Sequence, residues 1–517
     1  TQKREVLSAL DTATRTPNQT QYSNELLATT LKDATRIVEF VTERAIVEGY
    51  ELLQHLEHQF LFDYFRADSL NNDPDDRFCC QAEAKELVAA IIKFRDTINA
   101  DDLFVRYKVL VGFESVYPRH WNEENFDCEG ADEYRSDEAK RYIDEITAEN
   151  ENDWFDLIER CAETKSSDLA TFPVFGNFIG QLAERQPEVA DRLLARASDN
   201  LRSFLPGFLN GLAQSGRHDI YERILKAELE SARNLVGVAR HLRYSDVKNP
   251  DFIERVLRRA IDRDDSMAVI ECLLFALEHF GTEKIADGDT FLLNAFTFLN
   301  ERKDARWASQ AWFLQKATKF YEELTPEMMA QILQNLGYLR QVGYQVERIL
   351  VRLAERQPEA VWDYFGVRLV QETAEGDDKD RFKAVPFRFH GLEKELSKDP
   401  KLAITKGMSW FARNRKLFQF RGGRLLSDAF PSCTPGVAAE LAELVKAGGD
   451  AEADFALAIL RNYRGETSTY VVLKEIVSRF SDDTRKMSGV RACIDSTGVV
   501  SGEFGRAEAY QTKKESL

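Results

Sequence analysis

Features that mark secreted, membrane-spanning or disulfide-bonded proteins are missing from this sequence of 517 residues. No stretch approaches the roughly 18 consecutive apolar residues of a membrane-spanning helix, and the first residues lack the apolar core of a signal peptide. The seven cysteines are scattered, and none forms the C-x-x-C pair of a zinc ribbon or a redox motif. Such a dispersed, odd set is typical of reduced thiols. We therefore expect a cytoplasmic protein without membrane segments.

Motifs of nucleotide and acyl-transfer chemistry are also missing. A P-loop ends in Lys-Ser or Lys-Thr, whereas Gly422-Gly423 and Gly502-Glu-Phe-Gly505 are short and have no following lysine. No G-x-S-x-G elbow is present, and the seven dispersed histidines indicate neither a Ser-His-Asp nor a Cys-His set. An enzyme with a spatially assembled site stays an alternative. The sequence favours a protein that is not an enzyme and needs no cofactor.

The charge balance is acidic, with 87 Asp and Glu against 69 Lys and Arg and a net charge of −18. Such a protein repels phosphate backbones, so non-specific binding to nucleic acid is disfavoured. Hydrophobic residues make up 44% of the chain, which is typical of a folded protein. The length exceeds one compact core, so we expect several domains or an elongated repeat array. Because the chain does not begin with methionine, we also expect a segment of a longer protein.

Proline is scarce, and it stands where helices are predicted to begin. A capping threonine or asparagine precedes proline at three such sites, Asn249-Pro250, Thr325-Pro326 and Thr434-Pro435. Apolar residues then recur at helical spacing, as they do from Ile253 to Ala260. Long alternating runs of β-branched residues are lacking, and the best strand candidate, Tyr470–Leu473, continues naturally as a helix. The pattern predicts an all-α fold.

A motif of an acidic residue, arginine, an aliphatic residue and leucine occurs four times. Its copies are Asp191–Leu194, Glu222–Leu225, Glu254–Leu257 and Glu347–Leu350, with arginines spaced by 31, 32 and 93 residues. A longer identity, Leu-Ala-Glu-Arg-Gln-Pro-Glu, occurs at 182–188 and 353–359. A period of about 30 to 45 residues is the length of a helical hairpin in TPR-like or HEAT-like arrays. We therefore predict a degenerate array of helical hairpins, an α-solenoid.

Composition divides the chain into five segments. Residues 1–110 are predicted to hold long helices, over about 24–66 and 81–98, and residues 111–153 an aromatic and acidic connection. The repeat array is assigned to 154–374, a charged break to 375–400, and a helical segment with a cap to 401–517. From Glu123 to Arg160 there are 15 acidic and four basic residues. We expect most of these acidic side chains to lie on exposed helix faces.

Two short patterns resemble metal sites but lack required ligands. His55 and His58 share a helix face at i and i+3, whereas two zinc ligands on one helix usually stand at i and i+4 and need a third ligand. The run Asp73-Pro-Asp75-Asp76 has neither the glycine nor the glutamate of an EF-hand at the required positions. We therefore expect surface histidines and a polar turn, with no metal site.

The segment 401–424 interleaves basic and aromatic side chains and is the strongest candidate for a binding surface. Its candidate partner-binding residues are Lys406, Trp410, Arg413, Arg415, Lys416, Arg421 and Arg424, with Phe411, Phe418 and Phe420 between them. This pattern can hold single-stranded nucleic acid through phosphate pairing and base stacking. It also fits a helix with core aromatic side chains and with cations that are solvated or meet an acidic protein. The net negative charge favours this second interpretation over nucleic-acid binding. A HEAT-like nucleic-acid-binding protein that uses segment 401–424 stays an alternative.

Three stretches resemble a known family: 154–158 (WFDLI), 172–178 (FPVFGNF), and 498–505 (GVVSGEFG) with Ala509-Tyr510. Together with the helical array, they are similar to the C-terminal repeats of bacterial STAND-type anti-phage NTPases, the Avs type. In that family an upstream P-loop ATPase drives oligomerisation and an N-terminal effector disables the cell. The C-terminal repeats bind a phage protein, such as the large terminase subunit or the portal. The resemblance implies that this chain is the target-sensing portion of such a protein, and it transfers no individual contact residue.

Overall fold

The structure is a computed structural model, and most of the chain is described in it. The described residues are 9, 12–15, 23–75, 77–112, 116–121, 127–166, 172–246, 248–280, 288–370, 382–386, 388–415, 418–463 and 466–495. Some residues named in the sequence predictions therefore lie outside the described residues. They include Lys416, the stretch at 498–505 with Ala509-Tyr510, and residues 375–381 of the predicted charged break.

The chain is all-α, and neighbouring helices pair as hairpins in a degenerate repeat array, as the sequence predicts. No β-strand is present in the ranges given above. The chain divides into two compact units, Thr1–Ser245 and Asp246–Leu517. Their boundary falls inside the array predicted for 154–374, and the five predicted segments stay predictions.

The first unit contains twelve α-helices with described bounds. They are α1 (Asn24–Arg44), α2 (Tyr50–Asn71), α3 (Gln81–Ile98), α4 (Asp102–Val111), α5 (Cys128–Glu145), α6 (Glu151–Glu163), α7 (Pro173–Arg185), α8 (Pro187–Arg196), α9 (Asp199–Arg202), α10 (Leu205–Gln214), α11 (His218–Ser231) and α12 (Leu235–Tyr244). Helices α1, α2 and α3 share a core, in which the Phe60 and Phe94 rings lie 4.9 Å apart between centroids.

The second unit continues with fourteen α-helices, counted in the same way. They are α13 (Pro250–Asp262), α14 (Ser266–Glu278), α15 (Gly288–Glu301), α16 (Thr318–Glu323), α17 (Pro326–Leu336), α18 (Tyr344–Arg356), α19 (Pro358–Val370), α20 (Leu392–Leu396), α21 (Pro400–Arg413), α22 (Gly423–Ala429), α23 (Pro435–Ala447), α24 (Asp450–Leu460), α25 (Thr469–Phe480) and α26 (Thr484–Asp495). Among the described helices of both units, none is long and apolar enough to cross a membrane.

A single helix over about 24–66 is predicted from the sequence, and this prediction is wrong. Helix α1 ends at Arg44, a 3-10 turn follows at Ala45–Val47, and Gly49 stands in an extended conformation before α2 begins. The Gly49 carbonyl accepts hydrogen bonds from the first free N–H groups of α2, at 3.0 and 3.1 Å. Because apolar side chains recur at helical spacing on both sides of this break, periodicity alone does not reveal it.

The predicted proline-marked helix starts are confirmed. The side-chain oxygens of Asn249, Thr325 and Thr434 each accept a hydrogen bond from the backbone N–H three residues later, at 3.1, 3.2 and 3.3 Å. Each cap satisfies one of the N–H groups that the first turn of a helix leaves without an internal partner. The strand candidate Tyr470–Leu473 lies in α25, as expected.

The repeated Leu-Ala-Glu-Arg-Gln-Pro-Glu sequence forms the same helical corner twice. Gln186 joins α7 to α8 with φ −133° and ψ 63°, and Gln357 joins α18 to α19 with φ −137° and ψ 73°. In both corners the proline begins the second helix, where its missing N–H costs nothing. The identical residues therefore adopt the same corner conformation in both units.

The acidic-Arg motif links successive hairpins in the first unit. The Arg223 guanidinium of α11 pairs with Asp191 of α8 at 2.5 Å, and Arg192 of α8 pairs with Glu151 of α6 at 2.5 Å. The acidic residue of the first copy thus receives the arginine of the second copy. The fourth copy differs. Glu347 is buried and accepts a hydrogen bond from the Leu392 backbone N–H at 3.2 Å.

Glycines allow α7 and α10 to pack backbone against backbone. A Cβ atom added to Gly211 would lie 1.9 Å from the Gly180 carbonyl oxygen, and one added to Gly207 would lie 3.2 Å from the Gly176 carbonyl oxygen. Both pairs are separated by 31 residues, the spacing of the first two motif arginines. The two helices are therefore equivalent members of successive hairpins.

Candidate functional site

The basic-aromatic segment begins in α21. The Asp399 carboxylate caps this helix by accepting a hydrogen bond from the Leu402 backbone N–H at 2.9 Å, and Pro400 occupies the first turn. The buried face carries Ala403, Ile404, Gly407, Trp410 and Phe411, which recur at helical spacing. This face packs against α19 and α23–α24.

Lys406 is held by two carboxylates of α19. Its Nζ lies 2.9 Å from Glu359 Oε1 and 2.7 Å from Asp363 Oδ1, and its side chain is 18% exposed. Burial opposes the ammonium charge, but the hydrogen bonds and charges of both carboxylates outweigh it and raise the pKa of Lys406. Glu359 and Asp363 are four residues apart and share a helix face. Lys406 therefore ties α21 to α19, with its charge neutralised.

Trp410 is buried against α19. Its ring lies 6.0 Å from the Trp362 ring between centroids, tilted by 44°. A Cβ atom at Gly366 would lie 2.6 Å from Trp410 Nε1, so only glycine leaves room for the indole. This candidate partner-binding residue is a packing residue in the structure.

Helices α19 and α21 run in the same direction, because Lys406 lies level with Asp363 and Trp410 lies level with Gly366. One turn further along, this register places Arg413 level with Val370. Val367 and Val370 are 59% and 55% exposed, and Arg413 is also exposed, with no hydrogen bond or ion pair from its guanidinium to the described residues. We call Val367, Val370 and Arg413 the α19–α21 patch.

Arg421 and Arg424 bind backbone carbonyls. Arg421, in the π-helical turn Phe418–Gly422, donates from Nη1 to the Leu369 carbonyl at 3.0 Å. Arg424 donates from Nη2 to the Pro386 carbonyl at 3.3 Å. The two arginines therefore hold the end of α19 and the segment 382–386 in place.

The aromatic side chains of the segment form a core cluster. The rings of Phe411, Phe418 and Phe455 lie 5.2 to 5.6 Å apart between centroids, and all three are buried. The Phe420 side chain lies outside the described residues. With Trp410 also buried, none of the described aromatic side chains of 401–424 offers a face on which a base can stack.

Arg415 forms an ion pair with an acidic residue that was not predicted from the sequence to belong to a site. Its Nη1 lies 3.1 Å from Asp454 Oδ2 in α24, and Arg485 Nη2 of α26 lies 2.7 Å from the same oxygen. A recess of about 360 Å³ opens here. Its lining, which we call the basic recess, consists of Phe411, Arg415, Asp454, Leu457, Ala458, Arg461, Arg485, Lys486 and Gly489.

The remaining polar residues of the basic recess come from α26 and the end of α24. Lys486 is buried and donates to Asp450 at 2.8 Å and to Asp483 at 2.7 Å. Arg461 lies near Cys493, where burial raises the pKa of the thiol to about 11 although the arginine charge opposes this rise. Three helices far apart in sequence build this recess, and no local sequence signal could have revealed it.

A second recess, of about 300 Å³, lies in the first unit between α4 and α6. Its lining consists of Leu103, Arg106, Asn150, Asp153, Trp154, Asp156, Leu157 and Arg160. Arg106 pairs with Glu145 at 3.1 Å, and its guanidinium lies 4.7 Å from the Trp154 ring centroid. This recess has mixed charge, and it contains part of the 154–158 stretch that carries the family resemblance.

Acidic residues within the two patterns that resemble metal sites bind protein groups. Glu57, between His55 and His58, is buried and receives both a 2.8 Å ion pair from Lys108 and a 2.7 Å hydrogen bond from Asn99. The Asp73 carboxylate accepts hydrogen bonds from the backbone and side chain of Arg77 at 3.2 Å. Asp73 thus organises a polar turn, as expected.

No family model, curated protein or solved structure matches the chain.

Proposed function

We propose that this chain is a protein-recognition module of helical hairpins and the target-sensing portion of a larger anti-phage NTPase. Its partner would be a phage packaging or structural protein, such as the large terminase subunit or the portal, met in the bacterial cytoplasm. The α19–α21 patch is the observation that carries protein binding. The choice of target depends on the resemblance to the repeats of Avs-type STAND proteins.

The α19–α21 patch has the composition of a protein-binding centre. Single exposed apolar residues are ordinary on protein surfaces. Val367 and Val370, however, lie one turn apart on one helix face, and the register of α19 and α21 places the exposed Arg413 level with Val370. The core of a protein interface is more apolar than the rest of the surface, and arginine is enriched there.

The supporting residues of the segment give this patch a fixed geometry. Lys406 and Trp410 hold α21 against α19, and Arg421 holds the carboxyl end of α19. A surface that is ordered before binding loses less conformational entropy when a partner docks. We therefore assign contact with the partner to Arg413 and Arg415, and positioning roles to Lys406, Trp410, Arg421 and Arg424. Lys416 stays a predicted contact.

Protein is favoured over nucleic acid as the partner. Base stacking needs accessible aromatic faces, whereas Trp410, Phe411 and Phe418 are buried. The net charge of −18 also opposes binding to a phosphate backbone. An acidic protein surface would still be attracted to Arg413 and Arg415.

Affinity capture tests the proposal. Tagged chain is mixed with lysates of phage-infected and uninfected bacteria, with and without nuclease, and the bound proteins are identified by mass spectrometry. A Val367→Asp/Val370→Asp variant is compared with Val471→Asp, because Val471 is a similarly exposed valine on α25. We expect the terminase or the portal to be captured only after infection, and to be lost with the double variant alone.

Two outcomes would count against the proposal. Bound material that disappears after nuclease treatment would favour the nucleic-acid alternative. Capture of the same proteins from both lysates would show that the partner is not a phage protein. Equal loss of binding with Val471→Asp would show that the α19–α21 patch is not the specific contact.

A further inference from the structure

The basic recess contains more positive charge than its own carboxylate can neutralise. Arg415 and Arg485 both donate to a single oxygen, Asp454 Oδ2, at 3.1 and 2.7 Å. Two guanidinium groups are thus held within hydrogen-bond distance of one atom, although like charges repel at this separation. Each keeps further N–H donors that this contact does not use.

Arg461 adds a third guanidinium to the recess. It is exposed at the end of α24, and its guanidinium has no hydrogen bond or ion pair to any residue whose structure is described. Lys486 adds no excess positive charge, because Asp450 and Asp483 both bind its ammonium group and the three side chains together carry a charge of −1. Three arginines therefore face one carboxylate, Asp454, in the recess.

The remaining lining residues expose little surface. Phe411, Leu457 and Gly489 are buried and Ala458 is half-buried, so most of the surface of the recess is polar. The volume of about 360 Å³ exceeds what a free phosphate ion occupies, and it lies within the usual range for small-molecule sites. A ligand that fills the recess would combine an anionic end with a further polar part.

We propose that the basic recess binds a small phosphate monoester, such as a nucleoside monophosphate. Planar guanidinium groups pair with phosphate oxygens through parallel hydrogen bonds, which is why arginine is favoured at phosphate sites. The phosphate receives donors from Arg415, Arg461 and Arg485, and the nucleoside occupies the rest of the recess. The site shares Arg415 with the proposed partner contact, but its evidence does not depend on the protein-recognition proposal.

Isothermal titration calorimetry with the whole chain tests this site. Adenosine monophosphate is the probe, with adenosine and inorganic phosphate as comparison ligands. We expect one molecule of the monophosphate to bind per chain, inorganic phosphate to compete with it, and adenosine alone to bind at least about tenfold more weakly, because the charge-assisted hydrogen bonds are lost.

Matched variants assign the binding to the recess. Arg461→Gln and Arg485→Gln are each expected to weaken binding by about tenfold. The control is Arg491→Gln, because Arg491 is an exposed arginine of α26 outside the recess lining, and it should bind like the unmodified chain. Asp454→Asn should strengthen binding several-fold by removing the competing carboxylate, a gain that loss of folding cannot produce.

Several results would overturn the proposal. One is no binding of the monophosphate at millimolar concentration by folded protein. Another is equal affinity for adenosine, or equal binding by the Arg461, Arg485 and Arg491 variants. Binding of a glutamate-rich peptide in the recess without any binding of the monophosphate would identify the recess as a protein contact instead.

Discussion

A buried arginine holds irregular backbone in the second unit. Arg368, near the end of α19, is fully buried and donates to four carbonyl oxygens, those of Gly337, Leu339, Lys383 and Ala384, at 2.7 to 3.2 Å. Burial lowers the pKa of Arg368, but arginine remains charged at physiological pH. One side chain thus satisfies carbonyl groups from both sides of the stretch 371–381.

Replacing Arg368 with glutamine should destabilise the protein strongly. Glutamine cannot reach four carbonyls, and buried acceptors without partners cost about 1–3 kcal/mol each. We expect a loss of about 3–5 kcal/mol in the free energy of unfolding, measured by urea denaturation. Arg263→Gln, at an exposed site just after α13, should change stability by less than about 0.5 kcal/mol. Equal stabilities of the two variants would contradict this role of Arg368.

Asp483 should make stability depend on acid pH. Its hydrogen bond from the Lys486 side chain, with those from the backbone N–H groups of Arg485 and Lys486, lowers the pKa of Asp483 from 3.8 to about 2. A lowered carboxyl pKa stabilises the folded state above the unfolded-state value, and this stability disappears as pH falls through the folded-state value.

The comparison is between the unmodified chain and Asp483→Asn, by urea denaturation from pH 7 downward. Asparagine keeps a capping oxygen but not the charge. The unmodified chain should be more stable at pH 7, and the difference should shrink as pH falls from about 4 towards 2. A difference that does not change with pH would show that Asp483 acts without its charge.

Among the elements, the contact between α7 and α10 is the most sensitive to side-chain size. Gly211→Ala would force a Cβ atom against the Gly180 carbonyl oxygen, whereas a Cβ atom at Gly176 meets no atom within 4 Å. We expect Gly211→Ala to destabilise the protein by about 1–3 kcal/mol or more. Gly176→Ala should stabilise it by about 0.5–1 kcal/mol through helix propensity. Thermal and urea unfolding measure both variants, and loss of stability in both would contradict the packing described here.

Local sequence signals predict where these helices begin and end better than they predict which residues of different helices meet. The cap at Thr325 and the corner at Gln186 depend on adjacent residues, so the sequence was sufficient for both. The break at Gly49 was missed because apolar spacing continues across it. The pairing of Arg223 with Asp191 also escaped prediction, since a repeated motif does not state which neighbour it meets.

At the scale of the whole molecule, each unit contains a recess whose residues come from separate helices. The sequence grouped Lys406, Trp410, Arg413 and Arg415 because they are close in the chain. The fold gives them different surroundings, since α19 covers the face that holds Lys406 and Trp410. Arg485 was missed because it meets Arg415 only through Asp454. Periodicity predicts a buried face but does not identify the helix that covers it.

The most direct test of protein recognition is the affinity of the purified chain for a purified phage large terminase subunit and portal protein. Surface-immobilised chain, the Val367→Asp/Val370→Asp variant and the Val471→Asp control are measured side by side, after their melting temperatures have been shown to agree. We expect a dissociation constant of about 1 μM or tighter for one of the two proteins, a loss of at least about tenfold with the double variant, and no change with Val471→Asp. Absence of binding to both proteins, or equal affinities of the two variants, would contradict this expectation.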